Sequence, residues 1–394
     1  MAITSGKPCL VLLDHWQSFR ARFTEECINE YPPTCLIVTN MYAQYLAFSE
    51  IPEIPCVRIN DLYLNSIILE SNQIYSPKST SELDTILYLS NGQPYDFELP
   101  FGQLTQIRKV LDIIEADLDF GRRFNKRVKI RPHPADQNIP LNIQENFDFL
   151  VEIESGFLLE QLHSASLVVA ADTYALYIAM KIGKPVLTVL GELDKPRWLG
   201  FATSVDEFKS NQFSRSIFLS LFNRIIDGFY FRLFSVTDID DVHLATLNDS
   251  EYMRFSSNSS NETSFVQACA YTTSLGYENG YHLAIVNEWH ERIGTCTLRV
   301  DEKSKRIEIG ILIYKSFSGQ GAGLRVWKNL TTQLQTIAPA YTVWAGTIER
   351  NQAMASILKN AGYIQVESWW DDYLSINKLD RVIVYEYPKD RPFS

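Results

Sequence analysis

The sequence of 394 residues lacks a long hydrophobic run, closely paired cysteines and an excess of positive charge. No run is long enough to cross a bilayer, and no basic flank or cleavage site marks a signal peptide near the start, so we expect a cytoplasmic protein without a membrane span. The six cysteines have no CxxC spacing and are typical of reduced thiols. A formal net charge of −11 argues against nucleic acid as a partner. No spacing of His, Cys and Asp predicts a metal site.

The chain is long enough for two or three domains. Apolar strands alternate with helical stretches through the N-terminal half, which predicts α/β units with parallel, doubly wound sheets. A polar, serine-rich segment at residues 70–81 divides this half, and an apolar stretch at residues 214–231 predicts a bridging helix. We therefore predict two Rossmann-like halves and a third, α+β unit. Their predicted bounds are residues 1–80, 81–225 and 232–394.

The clearest chemical signal is a glycine-rich turn at residues 319–323. An apolar run at residues 307–314 predicts a buried strand before it, and residues 324–334 predict an amphipathic helix after it. Glycines let the backbone approach anionic oxygens, and the N-terminus of a helix offers free N–H groups and positive potential. The turn therefore predicts a phosphate or pyrophosphate site. The alternative is a tight strand-to-helix connection without a ligand.

The same turn resembles the pyrophosphate-binding motif Q/R-x-x-G-x-G/A of the GNAT acetyltransferases. Ser318 stands where that family usually has Gln or Arg. Flanking segments follow in the family's order, and the first resembles the subgroup of ribosomal-protein and amino-sugar N-acetyltransferases. These segments are residues 247–255, 281–286, 292–298, 343–347 and 351–363. The resemblance implies a mixed, mostly antiparallel sheet and N-acetyl transfer from acetyl-CoA.

The resemblance also implies which residues touch acetyl-CoA. The backbone N–H of Leu312 is expected to polarise the thioester carbonyl. Asn351 is expected to contact the pantetheine arm, or to cap the following helix, or both. The full set of expected contacts is Ile311, Leu312, Ile313, Ser318, Gly319, Gln320, Gly321, Ala322, Gly323 and Asn351.

The groups that move protons are less well marked. Glu308 lies on the strand before the turn and is the candidate catalytic base; the alternative is a solvated strand residue. Many family members carry a tyrosine that protonates the leaving thiolate, and Leu358 occupies that position here. That role is therefore vacant or filled by another residue. His163, His243 and His290 have no motif around them and are expected on the surface or in the core.

The second Rossmann-like half carries a basic segment, K-I-R-P-H-P, at residues 129–134. Together with residues 170–176 and 183–186 it resembles bacterial sialyl-, Kdo- and polyol-phosphate transferases, and two such halves suggest the GT-B architecture. The resemblance implies contacts with a nucleotide sugar. The residues expected to make them are Arg131, His133, Asp172 and Thr173.

Two residues of these halves are also candidates for catalysis. His133 is one, and Asp14 is the other because it follows the first strand, where open α/β sheets bind ligands. Each has a structural alternative. His133 can be a rigid turn residue between prolines, Asp14 can be a helix N-cap, and Arg131 can pair with an acidic neighbour such as Asp136.

The leading hypothesis is a two-part enzyme of surface-glycan or nucleotide-sugar metabolism. Its C-terminal domain acetylates an amino sugar, and its N-terminal unit binds a nucleotide-activated sugar or transfers it as a glycosyltransferase. The alternatives are a protein N-acetyltransferase with an N-terminal recognition module and an inactive sugar-binding scaffold. Trp369 and Trp370 are expected to pack at a strand edge, or to stack on a sugar. The oligomeric state stays open, with a homo-oligomer as one option.

Overall fold

The computed structural model places the described part of the chain in three β-sheets. The described residues are 7–13, 19–74, 85–92, 102–116, 127–134, 136, 150–191, 202–205, 221, 227–255, 263–277, 280–373 and 378–388.

The first sheet has three parallel strands in sequence order. They are β1 (Leu10–Leu12), β2 (Cys35–Val38) and β3 (Cys56–Arg58), and the helices beside them are α1 (Glu25–Asn29), α2 (Met41–Glu50) and α3 (Leu62–Ile74). Helix α3 extends into the polar segment that we expected to separate the halves. It does so because Leu64, Ile67 and Ser71 recur at helical spacing and are all buried.

The second sheet has six strands, and all its pairings are parallel. They are β4 (Ile86–Leu89), β5 (Arg127–Arg131), β6 (Leu150–Ile153), β7 (Leu167–Ala170), β8 (Val186–Thr188) and β9 (Thr203–Ser204). The helices are α4 (Gln103–Ala116), α5 (Leu158–Ser164) and α6 (Tyr174–Lys181). The order is β6-β5-β4-β7-β8-β9, so the chain runs outward from β4 to one edge and returns to its other side. Such a reversal opens a crevice at the carboxyl ends of β4 and β7.

The third sheet has seven strands in the order β10-β11-β12-β13-β14-β16-β15. They are β10 (Phe229–Leu233), β11 (Gly280–Asn287), β12 (Arg292–Asp301), β13 (Arg306–Ile313), β14 (Thr342–Ile348), β15 (Ile364–Tyr373) and β16 (Lys378–Glu386). The helices are α7 (Asp241–Leu247), α8 (Phe265–Tyr277), α9 (Ala322–Ile337) and α10 (Gln352–Asn360). Only β13 and β14 pair in parallel, which confirms the mixed, mostly antiparallel sheet.

The predicted bridging helix at residues 214–231 is wrong at its C-terminal end. Residues 229–231 belong to strand β10, because Phe229, Tyr230 and Phe231 are all buried and pair with β11. Trp369 and Trp370 lie on β15, which is an edge strand as expected. Within the described ranges, none of the helices combines the length and apolarity that a membrane crossing requires.

A buried ion cluster fastens α6 of the second sheet to the third sheet. Asp238, in a 3-10 turn after β10, is 2% exposed and accepts two hydrogen bonds of 2.8 Å from Arg232. It also accepts one from Lys181 at the end of α6, and the Arg292 guanidinium lies 3.3 Å away. Burial alone would raise the pKa of the Asp238 carboxyl, but the three cations hold that pKa well below its usual range.

We expect Asp238→Asn to lower the free energy of unfolding by about 3–5 kcal/mol, because it leaves buried cations without their carboxylate. The measurement is denaturant unfolding of the full chain. Asp241→Asn is the matched control, since Asp241 forms a surface ion pair with Arg58 and its loss should cost about 1 kcal/mol or less. Equal stability losses in the two variants would show that the cluster does not hold the units together.

Candidate active site

A cleft of about 1100 Å³ opens where β13 and β14 separate. Residues 306–308 of β13 pair with residues 342–344 of β14, and beyond these residues the two strands diverge. One wall is formed by β13, the glycine-rich turn and the starts of α9 and α10. The opposite wall is formed by α7, the turn after it and α8. The parallel pair therefore splays at the point where the chain enters the turn.

The glycine-rich turn has the conformation that an anion cradle needs. Gly319 and Gly321 adopt φ values of 76° and 77°, in the left-handed region that favours glycine. A Cβ at either position would meet no atom within 4 Å, so the surface around the turn is open. Gly321 starts the 16-residue helix α9 with no capping side chain and no acidic residue in the first turn. The N–H groups and the positive helix end therefore fit a pyrophosphate.

Most of the expected acetyl-CoA contacts lie together on this cleft. The lining includes Ile311, Leu312, Ile313, Ser318, Gly319, Gly321, Gly323 and Asn351. Gln320 and Ala322 belong to the turn but do not line the cleft, and the Gln320 amide donates to the Ser316 carbonyl at 3.3 Å. The Asn351 side chain accepts a hydrogen bond from the Met354 N–H at 3.2 Å, so it caps α10 and lines the cleft as well.

The pairing of β13 decides which of its backbone groups face the open side. The Tyr314 N–H donates to the Ile293 carbonyl on β12 at 2.7 Å, and a Cβ on Gly294 would collide with the Leu312 carbonyl oxygen. Backbone groups alternate along an antiparallel strand, so those of Leu312 point toward β12. Those of Ile311 and Ile313 point toward the gap. The Tyr252 hydroxyl, which donates to the Ile313 carbonyl at 2.6 Å, supports this assignment.

Glu308, the candidate base, and Leu358, which occupies the position of the family's tyrosine, both lie off the cleft. The Glu308 carboxylate is 3.7 Å from the Arg299 guanidinium on β12, and Glu308 is not among the residues lining the cleft. Leu358 is fully buried on α10. Neither side chain reaches the cleft in the described structure.

The far end of the cleft carries polar residues that the sequence did not single out. His243, His282, Tyr271, Thr295 and Thr297 all line it. His282 is 7% exposed and stacks on Phe234 at 4.3 Å, and His243 Nδ1 lies 3.1 Å from the Tyr314 hydroxyl. Burial lowers the pKa of His282 to about 3 and that of His243 to about 4. We expected His243 on the surface or in the core. Only the strand pairing, which sets His282 opposite Thr297, brings these groups together.

The other predicted site lies at the carboxyl edge of the six-stranded sheet. The exposed His133 follows β5, and its backbone N–H donates to the Asp136 carboxylate at 2.8 Å. A Cβ on Gly92, which follows β4, would lie 3.2 Å from His133 Nδ1, so the ends of β4 and β5 meet at this point. Asp172 and Thr173 follow β7, and Thr173 caps α6. Three of the four predicted nucleotide-sugar contacts thus lie at the carboxyl ends of β5 and β7, the two strands that flank β4.

Arg131 and Asp14 stand apart from that group. The Arg131 guanidinium donates to the Gly156 carbonyl at 2.8 Å and to the Gln161 side chain, so it holds the loop between β6 and α5. Asp136, the example given for an acidic partner of Arg131, instead accepts a hydrogen bond from the backbone N–H of His133, and Glu154 is the acidic neighbour that interacts with Arg131. Asp14 lies outside the described residues. In the part of the chain that the structure describes, no group of three His, Cys, Asp or Glu side chains is arranged to hold a metal ion.

Residues 229–364 match the family model of the acetyltransferase (GNAT) domain. None of the curated proteins matches the chain. Among solved structures, a GNAT-family acetyltransferase from Bacillus anthracis is similar, with 11% identity, a TM-score of 0.38 and coverage of 42% of this chain and 98% of the other. A ribosomal L7/L12 α-N-protein acetyltransferase in complex with coenzyme A has 13% identity, a TM-score of 0.37 and coverage of 41% and 95%. A spermidine N-acetyltransferase from Vibrio cholerae in complex with CoA and spermine has 12% identity, a TM-score of 0.35 and coverage of 41% and 95%.

The two buried imidazoles predict a loss of stability in mild acid. Their folded pKa values lie below the usual value of about 6.5, so between those values the unfolded chain binds protons that the folded chain does not. Stability is therefore complete above pH 6.5 and falls as the pH drops. At pH 5 the free energy of unfolding should be lower than at pH 7.5 by about 2 kcal/mol for each of His243 and His282.

Denaturant unfolding at pH 7.5 and pH 5 measures this effect. His282→Gln and His243→Gln should each reduce the difference between the two pH values, because glutamine does not titrate. A difference that is unchanged in both variants would contradict the assignment.

Proposed function

We propose that this chain, whose C-terminal part is a GNAT acetyltransferase domain and therefore an acyltransferase with acetyl-CoA as its cosubstrate, acetylates the amine of an amino sugar. The observation that carries the proposal is the single cleft that joins the glycine-rich turn to a pocket lined by hydroxyl and imidazole groups. Such groups suit a polyhydroxylated acceptor, since each hydroxyl of a sugar needs a hydrogen-bond partner when it leaves water.

The turn and the splayed strand hold the donor in this proposal. Bound acetyl-CoA supplies the thioester whose acetyl group is transferred. The N–H groups around Gly319 and Gly321 and the start of α9 bind the pyrophosphate. Asn351 uses its side-chain oxygen for the cap, which leaves its NH₂ group for the pantetheine arm. The N–H groups of Ile311 and Ile313 face the gap, so either of them fits the oxyanion role better than that of Leu312.

Two proton transfers remain. Glu308 is an unfavourable base because it faces Arg299 and lies off the cleft. The leaving thiolate needs a donor, and the Tyr252 hydroxyl is the one that lies against the open backbone of β13, at the Ile313 carbonyl. We therefore assign to Tyr252 the role that Leu358 leaves vacant: its hydroxyl protonates the leaving thiolate and regains the proton that the amine nitrogen loses as the amide forms.

The six-stranded unit would bind a nucleotide sugar within the same proposal. The reversal of strand order between β4 and β7 supports it, as do the positions of His133, Asp172 and Thr173 at the crevice. Arg131 would shape the site through its contacts to the loop after β6 rather than touch the ligand. The pairing of two Rossmann-like halves as in GT-B enzymes, with Asp14 as a catalytic residue, belongs to this proposal. So do the unit bounds of residues 1–80, 81–225 and 232–394.

We expect Gly321→Val to lower the affinity for acetyl-CoA at least tenfold, because a β-branched residue is strained at a φ of 77° and its Cβ occupies the cradle. The rise in melting temperature with acetyl-CoA measures this affinity. Ser316→Ala, just before the turn, is the control and should bind like the unchanged chain. Full binding by Gly321→Val would exclude the turn as the pyrophosphate site.

Tyr252→Phe separates chemistry from binding in the same experiment. It should keep the acetyl-CoA thermal shift and lower kcat for glucosamine about 100-fold, as expected for loss of a proton donor. If instead only peptide amines are acetylated, the amino-sugar proposal is wrong and the alternative of a protein N-acetyltransferase holds.

The nucleotide-sugar site has its own test. UDP-linked and CMP-linked sugars should raise the melting temperature of the full chain, and His133→Ala should abolish this shift without changing the shift caused by acetyl-CoA. His163→Ala is the control, since that histidine lies on α5 and contacts Ser71, away from the crevice. A shift that survives His133→Ala would place nucleotide binding elsewhere.

A further inference from the structure

One row of residues crosses the third sheet beneath the acceptor end of the cleft. The strand pairing sets His282 opposite Thr297 and Thr297 opposite Gly310. Paired residues point to the same face of a sheet, so this row presents an imidazole and a hydroxyl to the cleft. Gly310 makes room for the hydroxyl, since a Cβ there would lie 2.5 Å from Thr297 Oγ1. The row ends on β13, the strand whose backbone faces the reacting thioester in the proposed function.

The imidazole of His282 has a hydrogen-bonding nitrogen with no partner. The ring stacks on Phe234 and meets the edge of Tyr271 at 6.0 Å. Its Nδ1 is buried and makes no hydrogen bond to any residue that the structure describes. Buried polar atoms without a partner are rare in proteins, and each calls for an explanation such as a catalytic role, an ordered water or an ion. The Nε2 atom keeps exposed surface and makes no hydrogen bond to the described residues, so it is the nitrogen that can accept an N–H group entering the cleft.

The charges around this nitrogen disfavour a cation. Burial is the largest cause of the low pKa of His282. His243 and Arg292 lower that pKa further, and Asp238, whose carboxylate is shared among three cations, acts in the opposite direction.

The lining of the cleft gives an ammonium group no anion either. Among the described lining residues the only carboxylate is that of Glu251, which is exposed and pairs with Arg254, and the lining cation Lys315 pairs with Asp249. An amine that enters as the free base carries no charge, so it needs no counter-ion in such a site. A protonated amine would be desolvated without a counter-ion, which is costly.

We infer that His282 accepts an N–H of the uncharged acceptor amine, and that the site thereby selects weakly basic amines over lysine side chains and polyamines. The inference rests on the proposed acetyl transfer and narrows its acceptor class. Amines bonded to a carbon with electron-withdrawing substituents fit, as in amino sugars and peptide α-amines. At pH 7.5 an α-amine with a pKa near 8 has about 200 times more free base than a lysine amine with a pKa near 10.4.

The first test compares acceptors with the full-length protein, acetyl-CoA and measured thiol release at pH 7.5. Two peptides of one sequence are used, one with a free α-amine and an acetylated lysine, the other with an acetylated N-terminus and a free lysine. Glucosamine and spermidine complete the set. The kcat/KM should be about 100-fold higher for glucosamine or the α-amine peptide than for the lysine peptide and spermidine. Equal or faster turnover of the basic amines would overturn the inference.

The second test changes His282 itself. His282→Phe should lower kcat/KM for the preferred acceptor at least tenfold, with an unchanged thermal shift by acetyl-CoA as proof of folding. His282→Gln should restore part of that loss, because its side-chain oxygen accepts an N–H. His290→Asn, at a turn outside the cleft, is the control and should leave kcat/KM unchanged. An unaltered kcat/KM in His282→Phe would overturn the inference.

The two levels of the argument fail differently. If glucosamine is acetylated but the basic amines are acetylated better, only the role of His282 is wrong. If acetyl-CoA binds and no amine in the set is acetylated, the proposed function fails and this inference fails with it.

Discussion

The buried carboxylate of Asp238 is the interaction on which the arrangement of the molecule depends. It binds Lys181 of α6, Arg232 of β10 and Arg292 of β12, so a helix beside the second sheet and two strands of the third sheet meet at one anion. A buried ion cluster of this kind tolerates little displacement, because every charge left without its partner is costly in a dry interior. Arg292 extends the cluster toward the cleft. Its guanidinium lies 5.5 Å from the Phe234 ring and 5.4 Å from the Tyr314 ring, and these rings contact His282 and His243.

Helix α6 follows from this constraint as a rigid connection between the two candidate sites. It starts at Thr173, beside the crevice of the six-stranded sheet, and ends at Lys181 in the ion cluster. Eight residues of helix span about 12 Å. A third contact reinforces the connection, because the Thr237 hydroxyl donates to the Tyr177 hydroxyl at 3.0 Å. Local concentration is the advantage usually expected of fused enzymes. Here the contact between the units also has a structural role, because the ion cluster behind the acceptor end of the cleft includes Lys181 from α6 of the other unit.

The sequence predicted the features that depend on local pattern and missed those that depend on pairing between distant strands. The glycine-rich turn and the antiparallel strands were visible because glycine spacing and apolar runs are local. His282 belongs to no motif, and only the register of β11 against β12 places it beside Thr297 in the cleft. The preference for Leu312 as oxyanion donor had the same origin. Which backbone groups of β13 face the gap is decided by its pairing with β12, and a shift of one residue reverses the answer.

Glu308 does not line the cleft, so the central strand provides no catalytic base there. The chemistry of the site must therefore be understood from the kind of acceptor amine that it admits. A carboxylate on the central strand is the obvious means of removing a proton from an ammonium group, and here it lies 3.7 Å from the Arg299 guanidinium and does not line the cleft. A site without a described base can still acetylate an amine if it admits only molecules that have already lost the proton to water. The cost is a lower concentration of reactive acceptor, which is small for an amine whose pKa is near 8 and severe for one near 10.4. A cleft with neutral hydrogen-bonding groups and nearby cations would bind a polyamine poorly. The same cleft suits weakly basic amines, because they can enter without a charge.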